Sequence, residues 1–194
     1  MKKLVGFMVL GLFSLPMMAQ GYPKAQLFAG YQYEYLGGSA APSTISGSLA
    51  ETGESFNGFN GSLAYNFGKH VGLAADFGAG FASFNGLSAR FYSYTAGPVV
   101  SFRSHGKFTP FFHALIGGAH AEAGPSYVGL SGAVSQNGLA ALIGGGADYR
   151  LKRSIGLRLF QADWLYYDFP GINNGPSFSQ GNNVRISTGV VLGF

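Results

Sequence analysis

Apolar and polar residues alternate along most of this chain with the period of a β-strand. From Val184 onward the even positions are Val184, Ile186, Val190, Leu192 and Phe194, with Thr188 the exception. The odd positions are Arg185, Ser187, Gly189, Val191 and Gly193. Period-2 alternation marks a strand with one apolar face and one polar or small face. Seven earlier segments follow the same rule. In 26–36 the apolar face is Leu27, Ala29, Tyr31, Tyr33 and Tyr35, against Phe28, Gly30, Gln32 and Glu34. In 56–66 it is Phe59, Gly61, Leu63 and Tyr65, against Asn60, Ser62, Ala64 and Asn66. In 71–85, Val71, Leu73, Ala75, Phe77, Ala79 and Phe81 oppose Gly72, Ala74, Asp76, Gly78 and Gly80. In 90–102, Tyr92, Tyr94, Ala96, Pro98, Val100 and Phe102 oppose Ser93, Thr95, Gly97, Val99 and Ser101.

The remaining three segments are less regular. In 109–122, Phe112, Ala114, Ile116 and Gly118 fit an outer face, and Phe111, His113, Leu115 and Gly117 an inner one. In 137–151, Leu139 to Tyr149 on odd positions face out, with Asp148 and Arg150 inward. In 155–167, Ile155, Leu157 and Leu159 face out and Arg158 in, but Gln161 and Asp163 then fall on the outer parity. A carboxylate in hydrocarbon costs several kcal/mol. The pattern therefore predicts a bulge that flips the phase near Phe160, or a position for these residues above the membrane.

Eight segments of about 11–15 residues can each cross a bilayer as tilted strands, which need roughly 9–11. Their connections alternate in length. The short ones are 67–70, 103–108 and 152–154; those at 37–55, 86–89, 123–136 and 168–181 are mostly long. This is the periplasm/outside asymmetry of transmembrane barrels, and an even strand number puts both termini at the short-turn side. The predicted fold is all-β: an eight-stranded antiparallel up-and-down transmembrane β-barrel.

Composition agrees. Charged residues are 10%, aromatics 15%, and there are 32 glycines. Soluble domains carry about 25% charge. No apolar run beyond the N-terminus reaches the length of a membrane-spanning helix. The N-terminus itself, MKKLVGFMVLGLFSLPMMAQ, has Lys2 and Lys3 before an apolar stretch broken at Pro16. It reads as a secretory signal peptide, residues 1–19, cleaved after Ala19, leaving a barrel domain of 20–194. Losing two lysines leaves ten Lys and Arg against eight Asp and Glu, a formal charge of +2. The chain has no cysteine, which excludes a disulfide framework and a lipoprotein anchor.

Lys24, Lys69, Arg103, Lys107, Lys152 and Arg153 all lie at the short-turn end, while the long loops carry Glu51, Glu54 and Asp168 and no Lys or Arg. Solvated turns account for this; so does contact with anionic inner-leaflet headgroups. An eight-stranded barrel is just filled by its interior side chains. Glu34, Asp76, Asp148, Arg150, Arg158 and Arg185, with Asp163 if the phase flips, are expected to form a paired polar network in the lumen, since lone buried charges are costly. A proton or ion path is the functional alternative. Phe67, Phe102, Phe108, Tyr149 and Phe194 are expected in one aromatic belt. Tyr33, Tyr35, Phe59, Phe81, Tyr92, Tyr94, Trp164, Tyr166 and Tyr167 are expected in the other.

Chemistry has little support. His120 and Glu122 share parity near the end of the fifth segment, with Ser126 beyond, but that spacing is generic. His70, His105, His113 and His120 show no metal-ligand spacing. The Gly144-Gly145-Gly146 run has no following helix and is no phosphate loop. No basic loop offers a nucleic-acid surface. No catalytic, cofactor or metal residues are assigned, and the chain is read as a non-enzyme without cofactor.

The leader, the eight segments, the terminal VRISTGVVLGF and the stretch FQADWLYYDF (160–169) before Asn182-Asn183-Val184-Arg185 resemble the small outer-membrane β-barrel family related to the OmpA transmembrane domain and OmpX. The resemblance covers the mature chain, and only its last hairpin is motif-like. It implies a Gram-negative outer-membrane protein with both termini periplasmic, in contact with outer-membrane lipids and with the barrel-insertion machinery. It also implies that a C-terminal aromatic, here Phe194, is part of the assembly signal. Family members with a peptidoglycan-binding domain carry it after the barrel, so that activity is not implied here. The expected role is structural or surface interaction, by a monomer with an unknown extracellular partner. The alternatives are a secreted lipocalin-like barrel for a small apolar ligand, a lipid-modifying enzyme, or a narrow channel. The lipocalin-like alternative predicts that the Gln32/Glu34/Asp76 face is wet.

Overall fold

A computed structural model describes residues 22–37, 54–84, 87–104, 106–125, 134–170 and 178–194. The leader 1–19, Glu51, His105, Ser126 and most of the long connections lie outside the described residues. Eight strands follow in chain order: β1 Ala25–Leu36, β2 Glu54–Asn66, β3 Val71–Phe84, β4 Leu87–Ser101, β5 Phe108–Pro125, β6 Val134–Arg150, β7 Ile155–Phe169 and β8 Phe178–Gly193. Each pairs antiparallel with its neighbours, and β1 pairs with β8 to close the barrel. Closure removes the free sheet edges that an open sheet would expose. The expected segments match these strands to within a few residues, except that β8 starts six residues before Val184.

At the seam, Ala25 N–H donates to the Phe194 carbonyl (3.2 Å) and Phe194 N–H to the Ala25 carbonyl (2.8 Å). Among the described residues no helix is long and apolar enough to cross a membrane.

Side chains sort as the alternation requires, with the large apolar groups outside. Leu63, Leu73, Phe77, Ile116, Ile143, Ile186 and Val190 are all exposed on the outer wall. Gln32, Glu34 and Asp76 are buried. That is the reverse of the lipocalin-like alternative, which put this face in water. Aromatic rings crowd both rims. Phe67, Phe102, Phe108 and Tyr149 are exposed at the short-turn end, and Tyr33, Tyr35, Phe59, Phe81, Tyr94 and Trp164 toward the long-loop end. Phe59, Phe77, Phe81 and Tyr92 touch across β2, β3 and β4 with centroids 6.2–6.4 Å apart, within the range of favourable aromatic pairs.

The phase flip falls where the polarity of β7 demands it. Leu159 and Phe160 are both exposed, and Gln161 and Asp163 turn inward. The β7–β8 register shifts between Arg158 and Gln161, and the β6–β7 register between Ala147 and Asp148. A bulge leaves a backbone group outside the ladder. Here Thr188 Oγ donates to the Arg158 carbonyl at 2.9 Å, so the one polar outward residue of the β8 pattern serves the bulge beside it.

Tyr167 corrects the expected belt. The same flip places it inside, almost fully buried, with its hydroxyl donating to Glu34 at 2.7 Å.

Candidate functional site

The lumen is built in three levels. At mid-height, Arg185 on β8 is fully buried. Its Nη1 lies 2.9 Å from Asp76 Oδ1 on β3, and its Nε and Nη2 donate to Asp163 Oδ2 on β7 at 3.0 and 2.7 Å. Glu34 is its register neighbour on β1. One guanidinium thus stands among three carboxylates from three strands. Asp163 also meets His113 Nε2 at 2.7 Å and accepts from Gln161 Nε2 at 2.7 Å. Asn60 Nδ2 donates to Asp76 Oδ2 at 3.1 Å. Charge-assisted bonds of this kind are roughly twice as strong as neutral ones, and the low dielectric of the lumen raises the cost of losing any partner.

Two glycines make room for this layer. A Cβ on Gly78 would lie 2.8–2.9 Å from Arg185 Nη1, Ser93 Oγ and Gln32 Oε1. A Cβ on Gly144 would collide with Asp163 Oδ1. Gly144 and Gly146 of the triple-glycine run therefore serve the close approach of β7, and Gly145 that of β5.

Below, toward the short turns, Arg158 is clamped by Asp148: Nε donates to Oδ1 at 2.8 Å and Nη2 to Oδ2 at 3.2 Å. Its Nη1 reaches Gln161 Oε1 at 2.5 Å. The rings of Phe28 and Phe111 flank it, each centroid 4.2 Å from Cζ, close enough for cation–π attraction. Above, toward the long loops, the filling is apolar. Phe91 packs edge-on against Tyr167 at 4.7 Å, with Phe56 and Phe169 at 6.3 and 6.4 Å. Leu142, Leu165 and Ala140 complete this cluster.

Arg150 is not in the network. As the last residue of β6 it reaches the open mouth, is exposed, and donates from Nη2 to the Gly106 carbonyl at 3.1 Å. Glu34, Asp76, Asp148, Arg158 and Arg185 all lie inward. The sequence reading missed His113 and Tyr167 as members; the alternation already put His113 on the inner face, and the phase flip implied Tyr167.

The short-turn mouth opens into a cavity of about 640 Å³ lined by Tyr22, Gln26, Lys69, Arg103, Asp148, Arg150, Lys152 and Arg153, among others. A water-sized pocket of about 30 Å³ lies deeper, beside Asp76, His113 and Arg158. Burial pulls the Arg103 guanidinium below its ordinary pKa, and Asp148 and then Tyr22 act against that shift.

His120 and Glu122 do meet, at 3.1 Å, and His120 Nδ1 lies 2.7 Å from Asn137 Oδ1. They stand on the outer wall near its long-loop rim, with Arg90 4.0 Å from Glu122. Ser135 is the register partner of Glu122 across the ladder, and Ser126 lies outside the described residues. Among the described residues no group of His, Asp and Glu is arranged to hold a metal.

No protein-family model and no curated protein matches the sequence. Solved structures do match. The attachment invasion locus protein Ail of Yersinia pestis superposes with a TM-score of 0.58 at 18% identity, covering 89% of this chain and 99% of that one. Ail in complex with the heparin analogue sucrose octasulfate matches at 0.56, with 19% identity over 89% of this chain and 99% of that one. Neisserial surface protein A matches at 0.57, with 17% identity over 90% and 100% of the two chains. The fold is that of small eight-stranded outer-membrane barrels, consistent with the family resemblance carried by the last hairpin.

Proposed function

We propose that this chain is an integral outer-membrane barrel of a Gram-negative bacterium, non-enzymatic, with a structural or surface-interaction role. The carrying observation is the inverted distribution of side chains. Leu, Ile, Val and aromatic groups cover the outer wall, while Arg185, Asp163 and Glu34 are sealed within. That outer wall suits a hydrocarbon solvent, and in lipid only closed barrels and helices satisfy their backbone. Residues 1–19 direct export, and the basic short-turn end faces the periplasm. The long connections then face outward and carry the surface interaction. Ail is known in complex with a sulfated sugar analogue. The long connections here contain no Lys or Arg, so the partner they suit is not a polyanion.

A channel has less support, because the charge layer and the aromatic cluster above it both fill the bore. The test is fractionation with cold-gel mobility. The mature protein is expected in the outer-membrane fraction, migrating faster unheated than boiled. Protease on intact cells is expected to cut within 37–55 and to leave a tag at the short-turn end intact. Recovery in the soluble periplasm would overturn the reading.

A further inference from the structure

We propose that the vestibule at the short-turn end is a binding site for a phosphate ester, with Arg103 as its anchor and Lys69, Arg150, Lys152 and Arg153 as its rim. The proposal rests on the outer-membrane reading only for the compartment that supplies the ester. Arg103 carries the argument. It is nine-tenths buried, yet among the described residues no carboxylate lies within 4.0 Å of it. Nη1 donates to the Lys69 carbonyl at 2.7 Å and Nη2 to Gln26 Oε1 at 2.8 Å, and the ring of Tyr22 lies 5.8 Å from Cζ.

These contacts hold the guanidinium still without neutralising it, and a guanidinium has five donors to offer. A held fork with donors to spare matches two phosphate oxygens. The cavity's one lining carboxylate, Asp148, is occupied by the bidentate Arg158. Five cations therefore face about 640 Å³ with no free counter-charge among the lining residues. Walls of low dielectric focus such a field. The volume lies in the usual range for small-ligand pockets and exceeds what a bare phosphate fills, so the ligand is a phosphate on a small polar carrier. A phospholipid headgroup and a soluble phosphate ester share that chemistry.

The experiment uses the folded mature barrel and two parallel titrations read by amide NMR shifts. One adds sn-glycerol 3-phosphate in zwitterionic detergent, with glycerol as the uncharged control. The other compares phosphatidylcholine nanodiscs with and without phosphatidylglycerol. Saturable shifts confined to the short-turn end are expected; in the first arm they identify a soluble ester, in the second a headgroup. Arg103→Gln should weaken binding on the order of tenfold. Should that variant not fold, the exposed pair Lys152→Gln/Arg153→Gln should weaken binding and flatten its salt dependence. No saturable shift in either arm, or unchanged affinity in the variants, overturns the site. A barrel that fractionates with the outer membrane yet ignores both ligands fails this inference alone.

Discussion

The two ends of the lumen are made from the same alternating wall and filled in opposite ways. At the long-loop end Phe91 meets Tyr167 and Phe169 edge-on and Phe56 at a tilt, in an apolar cluster. At the short-turn end cations surround an open cavity. Between them lies the Arg185 layer, which belongs to neither. The bore is closed at two levels and needs no third seal. Once volume closes one end and charge closes the middle, the other end is free to hold charge beside water, where Lys69, Arg150, Lys152 and Arg153 are exposed and Arg103 is the buried member of the set.

The contrast breaks most completely at the dividing layer. Arg185→Met should leave Asp76, Asp163 and Glu34 buried without their cation and destabilise the barrel by roughly 3–5 kcal/mol. Denaturant titration in micelles is the measurement, and a midpoint within error of wild type would show that the layer is not what joins the two ends. Phe91→Ala attacks the seal instead. Removing a ring from the aromatic cluster should cost about 3 kcal/mol. Because the Arg185 layer still fills the bore below, planar-bilayer recordings of this variant should show no leak, and leak events would mean that the cluster carries the seal by itself.

Tyr167→Phe probes the contact between the cluster and the charge layer. Glu34 loses its 2.7 Å donor, a loss of about 1–2 kcal/mol, visible as a lower unfolding midpoint with no leak. Lys152→Gln at the open end should change stability by less than about 0.5 kcal/mol. A larger effect there would mean the vestibule is packed rather than open.

Much of this was legible because a barrel wall has a simple code. Alternation located all eight strands, and the polarity of Gln161 and Asp163 called for either a phase flip near Phe160 or a position above the membrane; the structure shows the flip. Thr188 was legible only as an exception, since its partner is a backbone carbonyl that pattern cannot show. Tyr167 was misplaced because an aromatic near a rim suits a belt as well as a core, although the flip had already turned its parity inward. Arg150 was misplaced for a different reason. Parity says which way a side chain leaves the strand, but not whether the lumen is still closed at that height. The aromatic cluster was out of reach, because it joins β2, β4 and β7 across the bore, and alternation speaks only of one strand at a time.

The reciprocal bonds between Ala25 and Phe194 have a consequence for the making of this protein. The last strand must reach the first before either has a complete set of partners, across nearly the whole length of the chain. Contacts so distant in sequence form slowly. Until they form, β1 and β8 are two bare edges able to pair with another copy. A chain shortened at its end, or stalled before β8 is delivered, is therefore a seed for aggregation rather than a weaker barrel.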